Sequence, residues 1–197
     1  MKLLNSIILL LITCSYISAQ GDLLTTFKAI QVENGIKLTF TIKAGNQCND
    51  LEIQRSDDDI LFTEIGIIPG ICGSVSSNET YEFTDALPIV NKDVYYRLNL
   101  RDAGYSFSIK TRYIAYNEKG YLIYPNPFSI NTNVYIKNER NTEIIFSLYD
   151  ITGKLMLRKN TKDNIVPLSR DNLNDGIYIY KIIFDDKVKG SGRLIIH

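Results

Sequence analysis

Apolar and polar residues alternate along short stretches of the chain, and this two-residue period predicts β-strands. Residues 36–42 alternate without a break and follow a second β-rich run, residues 27–32. Asn34 and Gly35 separate the two runs. Because Asn and Gly tolerate the positive φ angles of a tight turn, the two runs predict a β-hairpin.

Further strand-like segments recur as far as residue 116. They are residues 51–56, 61–68, 80–84, 94–100 and 105–116. Three aspartates at 57–59, Pro69-Gly70 and a polar loop at 73–78 separate them. About seven short strands with turns between them are typical of an antiparallel β-sandwich. No segment of this half has a convincing helical period.

The pattern lapses at residues 117–120 and then predicts strands again. Pro125 and Pro127 remove backbone donors from residues 121–128, which predicts an edge strand that enters a rigid turn. Further strands are expected at 133–137, 143–149, 154–158, 165–168, 177–184 and 193–196, with turns at 150–153 and 185–192. The predicted fold is therefore all-β, with two consecutive antiparallel β-sandwiches.

The beginning of the chain has the layout of a secretory signal peptide. Lys2 precedes an apolar core at residues 7–12, and the small residues Ser18 and Ala19 follow. This core is too short to span a bilayer, and no later apolar run is long enough for a membrane helix. We expect cleavage between Ala19 and Gln20.

Removal of a signal peptide changes the number of cysteines available for a disulfide from three to two. Cys14 is lost with it, which leaves Cys48 and Cys72 in an exported chain. Two cysteines in an oxidising compartment predict one disulfide, which closes a loop of about 25 residues and stabilises the fold by on the order of 3 kcal/mol. The alternatives are a pair of free thiols for redox or metal chemistry, without C-x-x-C spacing, and lipid attachment at Cys14, for which Thr13 is a poor preceding residue.

The charge balance and the histidine content argue against several classes of function. The chain has 22 Lys and Arg against 22 Asp and Glu, no Trp, and a single histidine, His197, at its last position. Nucleophilic triads and histidine zinc sites need an imidazole held in a pocket, which a chain end does not provide. Zero net charge argues against nucleic-acid binding. No motif singles out a carboxylate pair, so we expect no enzyme activity, catalytic residue, cofactor or metal site.

Two features of the first half have competing interpretations. Asp57, Asp58 and Asp59 offer carboxylates to Ca²⁺, but without EF-hand spacing they are better read as a solvated turn. The 13 Tyr and 8 Phe of the chain either build an exposed binding face or pair within the sandwiches. Tyr95 and Tyr96 point to opposite faces of one strand, so at least one is predicted to be buried.

Four motifs follow one another in the second half. The opening motif is Tyr124-Pro125-Asn126-Pro127, and the turn motif is residues 148–154 with Asp150, Gly153 and Lys154. The strand motif is residues 173–178 with Gly176 and Tyr178, and the terminal motif is residues 192–196 with Gly192 and Arg193. Together they resemble the type A C-terminal sorting domain of cargo proteins of the type IX secretion system in Bacteroidetes-type bacteria. The ending departs from that pattern, since such domains often finish on a basic residue rather than on His197.

This resemblance implies a route and a set of partners. The chain would cross the inner membrane into the periplasm, and an outer-membrane translocon would recognise its folded C-terminal domain. A surface sortase would then remove that domain, with cleavage expected at residues 117–121. The remaining protein would be released or attached to lipopolysaccharide, so the implied location is the medium or the outer cell surface.

The first half resembles the fibronectin type III-like domains that often precede sorting domains. An aromatic core anchor is expected at Phe40, where the family usually has Trp. The resemblance also depends on four segments, which are residues 51–56 together with Phe62, residues 81–85, residues 94–98 and residues 102–104. Net charge changes between the halves, with 9 Lys and Arg against 13 Asp and Glu in residues 20–116, or −4, and 12 against 9 in residues 117–197, or +3.

The predicted organisation is a signal peptide at 1–19, a fibronectin type III-like sandwich at 20–116 and a sorting domain at 117–197. The first sandwich is expected to be a binding or adhesion module. The alternatives are a structural spacer or surface-layer component and, more weakly, a hydrolase accessory.

Overall fold

The computed structural model describes residues 23–184 and 186–197, and the predicted signal peptide and its cleavage site at Ala19 and Gln20 lie outside this range. The described residues form strands, turns and a 3-10 turn at Arg101–Ala103, with no α-helix. The predicted all-β fold is therefore confirmed. The strands are β1 Leu24–Val32, β2 Gly35–Ile42, β3 Asn46–Ser56, β4 Thr63–Ser74, β5 Glu79–Asp85, β6 Asp93–Asn99, β7 Ile109–Arg112, β8 Tyr121–Tyr124, β9 Asn131–Ile136, β10 Ile144–Tyr149, β11 Leu155–Thr161, β12 Ile165–Ser169, β13 Gly176–Phe184 and β14 Lys187–Ile196.

The described chain divides into two compact units. One contains residues 23–28, 38–83 and 95–109, and the other contains residues 29–37, 84–94 and 110–197 apart from residue 185. Within the sheets, β1 to β7 have their neighbours among themselves, and so do β8 to β14. The predicted domain boundary at residues 116 and 117 falls between β7 and β8, and it stays a prediction.

The first seven strands form two sheets, in the orders β1-β2-β5 and β4-β3-β6-β7. The alternating apolar residues of β2 and β6 are buried, as the two-residue period predicts. Phe40 is the aromatic anchor of this core, since its ring lies edge-on to Phe27 at 6.0 Å and is stacked on Tyr81 at 5.7 Å. Tyr96 is fully buried whereas Tyr95 is partly exposed, as expected for neighbours on one strand.

The predicted disulfide joins Cys48 to Cys72. The two residues lie directly opposite each other on β3 and β4, with their Cα atoms 5.0 Å apart. The prediction that Pro69-Gly70 ends the strand is wrong, because β4 continues through it. The register shifts around Asp50, whose carboxylate accepts the Gly70 N–H at 2.8 Å, so a bulge accommodates the turn residues.

The three aspartates at 57–59 form the turn between β3 and β4. The Asp58 carboxylate accepts the Ile60 and Leu61 N–H groups, each at 2.8 Å, and the Ser56 hydroxyl at 2.8 Å. These hydrogen bonds, that of Leu61 first, hold the pKa of Asp58 below its usual value. This carboxylate therefore works as a turn acceptor, which is the role that the preferred interpretation of the sequence gives it.

Two predicted strand boundaries need correction. Residues 105–116 contain only the short β7, because the Gln31 side-chain amide takes the place of a neighbouring strand beside Ile114, accepting from its N–H and donating to its C=O at 2.9 Å each. Residues 185–192 are not a turn alone, since β14 already begins at Lys187. Its first half, residues 187–191, contains a single apolar side chain, Val188, so no hydrophobic alternation predicts the strand.

The remaining strands form a second pair of sheets, in the orders β11-β10-β13-β14 and β12-β9-β8. β8 is an edge strand, as the prolines that follow it, Pro125 and Pro127, predict. One apolar core is enclosed by these strands, and its largest members are Tyr121, Phe128, Phe146, Tyr178 and Tyr180.

Candidate functional site

The four motifs meet at one end of the sheet β11-β10-β13-β14. Gly176 pairs with Ile196, so the beginning of β13 lies beside the end of β14. Tyr149 pairs with Ile179, which places the turn after β10 at the same end. Segments separated by up to about 70 residues in the sequence thus share one edge of the domain.

The opening motif is attached to β14 through Asn126. Its side-chain amide donates to the Arg193 carbonyl at 3.0 Å and accepts the Ile195 N–H at 3.0 Å. The backbone continues this pairing, because the Phe128 N–H donates to the Ile195 carbonyl at 3.0 Å and the His197 N–H donates to the Phe128 carbonyl at 3.1 Å. Asn126 therefore supplies with its side chain what a neighbouring strand supplies with its backbone.

The other residues of the opening motif set the position of Asn126. Tyr124 ends β8, and the peptide bonds before Pro125 and Pro127 are both cis. The Pro125 carbonyl accepts the Thr132 hydroxyl at 2.5 Å, which ties the motif to β9. Thr132 is almost completely buried, and sequence reasoning missed it because an isolated threonine in a strand gives no signal.

The turn motif is a hydrogen-bonded turn around one carboxylate. Asp150 Oδ1 accepts the Thr152 hydroxyl at 2.7 Å, the Thr152 N–H at 2.8 Å and the Lys154 N–H at 3.0 Å. The Thr152 hydroxyl is the main reason why the pKa of Asp150 lies below its usual value. Gly153 has a φ of 86°, which disfavours other residues. Asp150 and Gly153 thus build the turn, and Lys154 is exposed beside it.

The strand motif starts β13. Gly176 has a φ of 149°, a backbone conformation that few other residues adopt. Tyr178 is buried, and its hydroxyl donates to the Asn174 carbonyl at 3.0 Å, so the tyrosine closes the loop that leads into its own strand.

The terminal motif needs glycine for space. A Cβ atom at Gly192 would lie 2.7 Å from the Tyr180 hydroxyl, which is hydrogen-bonded to the Tyr121 hydroxyl at 3.2 Å. Burial raises the pKa of Tyr180, so its hydroxyl stays neutral at physiological pH. Arg193, the next residue, has an exposed side chain on the opposite face of the strand.

A second cluster lies on β3, β6 and the loops beside them. The Arg97 guanidinium is held between two rings, 4.0 Å from the centroid of Phe62 and 4.2 Å from that of Tyr105. Arg97 also donates through Nε to the Gln54 side chain at 2.8 Å. The result is a three-layer stack of flat groups, with Tyr105 exposed on one side.

A buried carboxylate supports this stack. Glu52 accepts Asn99 Nδ2 at 2.6 Å, Gln54 Nε2 at 3.2 Å and the Arg101 guanidinium at 2.6 Å. Each of these polar groups has a partner, so the charge of Glu52 is compensated. These hydrogen bonds connect Glu52 to the Gln54 side chain that holds Arg97. From the sequence, Phe62 is singled out, and Glu52, Gln54 and Arg97 are included only as members of the segments 51–56 and 94–98.

Within residues 23–184 and 186–197, no three or more His, Cys, Asp or Glu side chains are grouped so as to hold a metal ion. The same residues include no helix with the length and apolar character needed to cross a membrane.

Comparison with known proteins identifies the family that the second half of the chain matches. Residues 122–197 match the family described as the secretion system C-terminal sorting domain, and no curated protein matches the chain. Among solved structures, a segment of two fibronectin type III domains from chicken tenascin is 14% identical, covers 87% of this chain and 98% of its own, and has a TM-score of 0.35. Domains 3 and 4 of rat CD4 are 7% identical, with 84% and 96% covered and a TM-score of 0.29. The human OSCAR ligand-binding domain is 11% identical, with 86% and 96% covered and a TM-score of 0.28.

The family match begins within β8, extends through β14 and contains every residue of the four motifs. Such a domain directs the protein that carries it out of the cell or to its outer surface. Residues 122–197 are therefore a C-terminal sorting domain of the type IX secretion system, as the motifs predict.

Proposed function

We propose that the chain is an exported, non-catalytic protein whose sorting domain is recognised by the type IX translocon and removed by its sortase. The observation that carries this proposal is the meeting of the four motifs at one end of one sheet. In this proposal the translocon binds a folded surface, because the Asn126 and Asp150 side chains make hydrogen bonds within the domain and Gly192 leaves room for the Tyr180 hydroxyl.

We infer that the sortase cuts within residues 117–121, which lead from the segment after β7 to the first residue of β8. Glu118 and Lys119 are exposed there. The rest of the protein is then released or attached to lipopolysaccharide.

We further propose that the first sandwich is a binding or adhesion module. The stack of Phe62, Arg97 and Tyr105 supports this, because flat rings and a guanidinium present contact area at a small cost in side-chain entropy. The buried Glu52 network holds the stack in place. A sugar ring or a flat peptide side chain fits such a surface.

Export is tested by expressing the full chain and a chain ending at residue 116 in a bacterium with type IX secretion. The full chain is expected in the medium or on the cell surface, and the shortened chain in the periplasm. Equal export of both chains would refute the sorting role.

Binding by the first sandwich is tested on a glycan and peptide array with the purified chain. The Tyr105→Ala and Arg97→Ala variants are expected to lose the bound signal, whereas Phe107→Ala, which removes another exposed ring, is expected to keep it. A chain that binds nothing on the array would favour the spacer role instead.

A further inference from the structure

Four aliphatic side chains are exposed on the outer face of the sheet β11-β10-β13-β14. Leu155 is 48% exposed, Ile177 44%, Ile179 40% and Ile195 37%. We call them the apolar patch. Residues of the opposite parity on β13 and β14 are buried in the core, so Ile177, Ile179 and Ile195 lie on the face that the core does not cover. Core packing explains one face only.

The apolar patch is continuous across the four strands. Ile177 pairs with Ile195, and Tyr149 lies between Leu155 on one side and Ile179 on the other. Directly opposite residues in adjacent strands have neighbouring side chains on the same face. The patch therefore forms one flat surface at the end of the sheet where the four motifs meet.

A basic band borders the patch. Ser147 pairs with Arg158 on one side and with Lys181 on the other, and Ile179 pairs with Arg193. Ser147 is only 4% exposed although it is on the outer face, which fits coverage by the two long basic side chains. No ion pair to Arg158, Lys181 or Arg193 occurs within the part of the chain that the structure describes.

We propose that this face is the docking surface for a component of the secretion machinery that presents an acidic rim around apolar residues. The proposal rests on the proposed sorting function. Contiguous exposed aliphatic residues mark contact surfaces, and a basic band without ion pairs is complementary in charge to an acidic partner.

The chemistry favours a protein over a lipid surface as the occupant. Segments that lie in a membrane interface are anchored by Trp, Phe or Leu inserted below a basic face. Here the patch is flat, three of its four members are β-branched, and the basic residues share its plane. A flat aliphatic surface with charges beside it matches the core and rim of a protein–protein interface.

The test is an export assay on the full chain in a type IX-secreting host. One variant carries Ile177→Thr, Ile179→Thr and Ile195→Thr, which keep β-branched residues in the strands. Its matched control carries Ile130→Thr, Ile165→Thr and Val188→Thr, at three other exposed aliphatic positions of the domain. The ratio of exported to periplasmic protein is expected to fall on the order of tenfold in the first variant alone.

A second variant reverses charge in the basic band, at positions outside the four motifs. Arg158→Glu with Lys181→Glu is expected to lower export as well, whereas Arg140→Glu with Lys162→Glu is expected to leave it unchanged. Thermal unfolding of each purified variant checks that the fold is intact. If the patch variant does not fold, the export of the folded charge variant decides whether this face is the docking surface.

Each remaining outcome has a definite meaning. Wild-type export of folded patch and charge variants, with retention of the chain ending at residue 116, would overturn the docking surface but not the sorting function. Equal export of the shortened chain would overturn both. Sedimentation of the purified chain with phosphatidylglycerol vesicles or lipopolysaccharide, lost in the patch variant, would assign the face to a lipid surface and overturn the proposal.

Discussion

Replacing Asn126 by alanine removes the side chain that joins the opening motif to β14. Two hydrogen bonds of 3.0 Å are lost, one to the Arg193 carbonyl and one from the Ile195 N–H. Each such bond contributes about 0.5–1.5 kcal/mol, so the two together are worth about 1–3 kcal/mol. Because Asn126 is exposed, water replaces part of this, and we expect a loss near the lower end of that range.

For a domain of this size, 1 kcal/mol corresponds to a shift in Tm of about 4–8 °C. Thermal unfolding of the full chain is the first measurement, and hydrogen exchange at Ile195 is the second, since its N–H loses its acceptor. Asn133→Ala is the matched control, because its amide makes a single long contact of 3.4 Å with Tyr135. An unchanged Tm together with unchanged exchange at Ile195 would refute the role of Asn126 as a side-chain substitute for a strand.

Three further predictions concern stability. Replacing Cys48 and Cys72 by serine is expected to lower the free energy of unfolding by on the order of 3 kcal/mol, measured in urea; a much smaller loss would contradict the loop-closure estimate. Gly192→Ala places a Cβ atom 2.7 Å from the buried Tyr180 hydroxyl and is expected to cost about 1–3 kcal/mol in the same assay, and an unchanged free energy of unfolding would contradict this. Hydrogen bonding to Arg112 lowers the pKa of Asp93 in the folded protein below its ordinary value of 3.8. The Asp93 carboxylate therefore stabilises the fold at neutral pH, and this contribution is lost as the pH falls from 3.8 through the lower pKa of the folded state. Wild type and Asp93→Asn should therefore differ at pH 7 and converge in acid, and a difference independent of pH would contradict this ion pair.

Most strands could be predicted from alternation, because residues such as those of β2 face the core and the solvent in turn. Prediction failed where that contrast is missing. The first half of β14 has no apolar period, and a bulge at Asp50 keeps Pro69 and Gly70 within β4.

The candidate site could be predicted only in part. The residues of the four motifs were visible in the sequence, but their meeting depends on the register of β13 with β10 and β14, which no local pattern encodes. The contact between Asn126 and Arg193 joins residues 67 positions apart. The apolar patch was missed because a strand that is apolar on both faces looks like a fully buried strand.

Because Asn126 and Phe128 bind residues 193–197, the end of the sheet at which the four motifs meet forms only after the last strand has been synthesised. The opening motif is synthesised first and finds its neighbour only after the last strand has emerged. A chain interrupted before residue 193 carries the opening, turn and strand motifs but cannot assemble the edge at which they meet. A translocon that binds this edge would thereby reject unfinished chains without any separate inspection step.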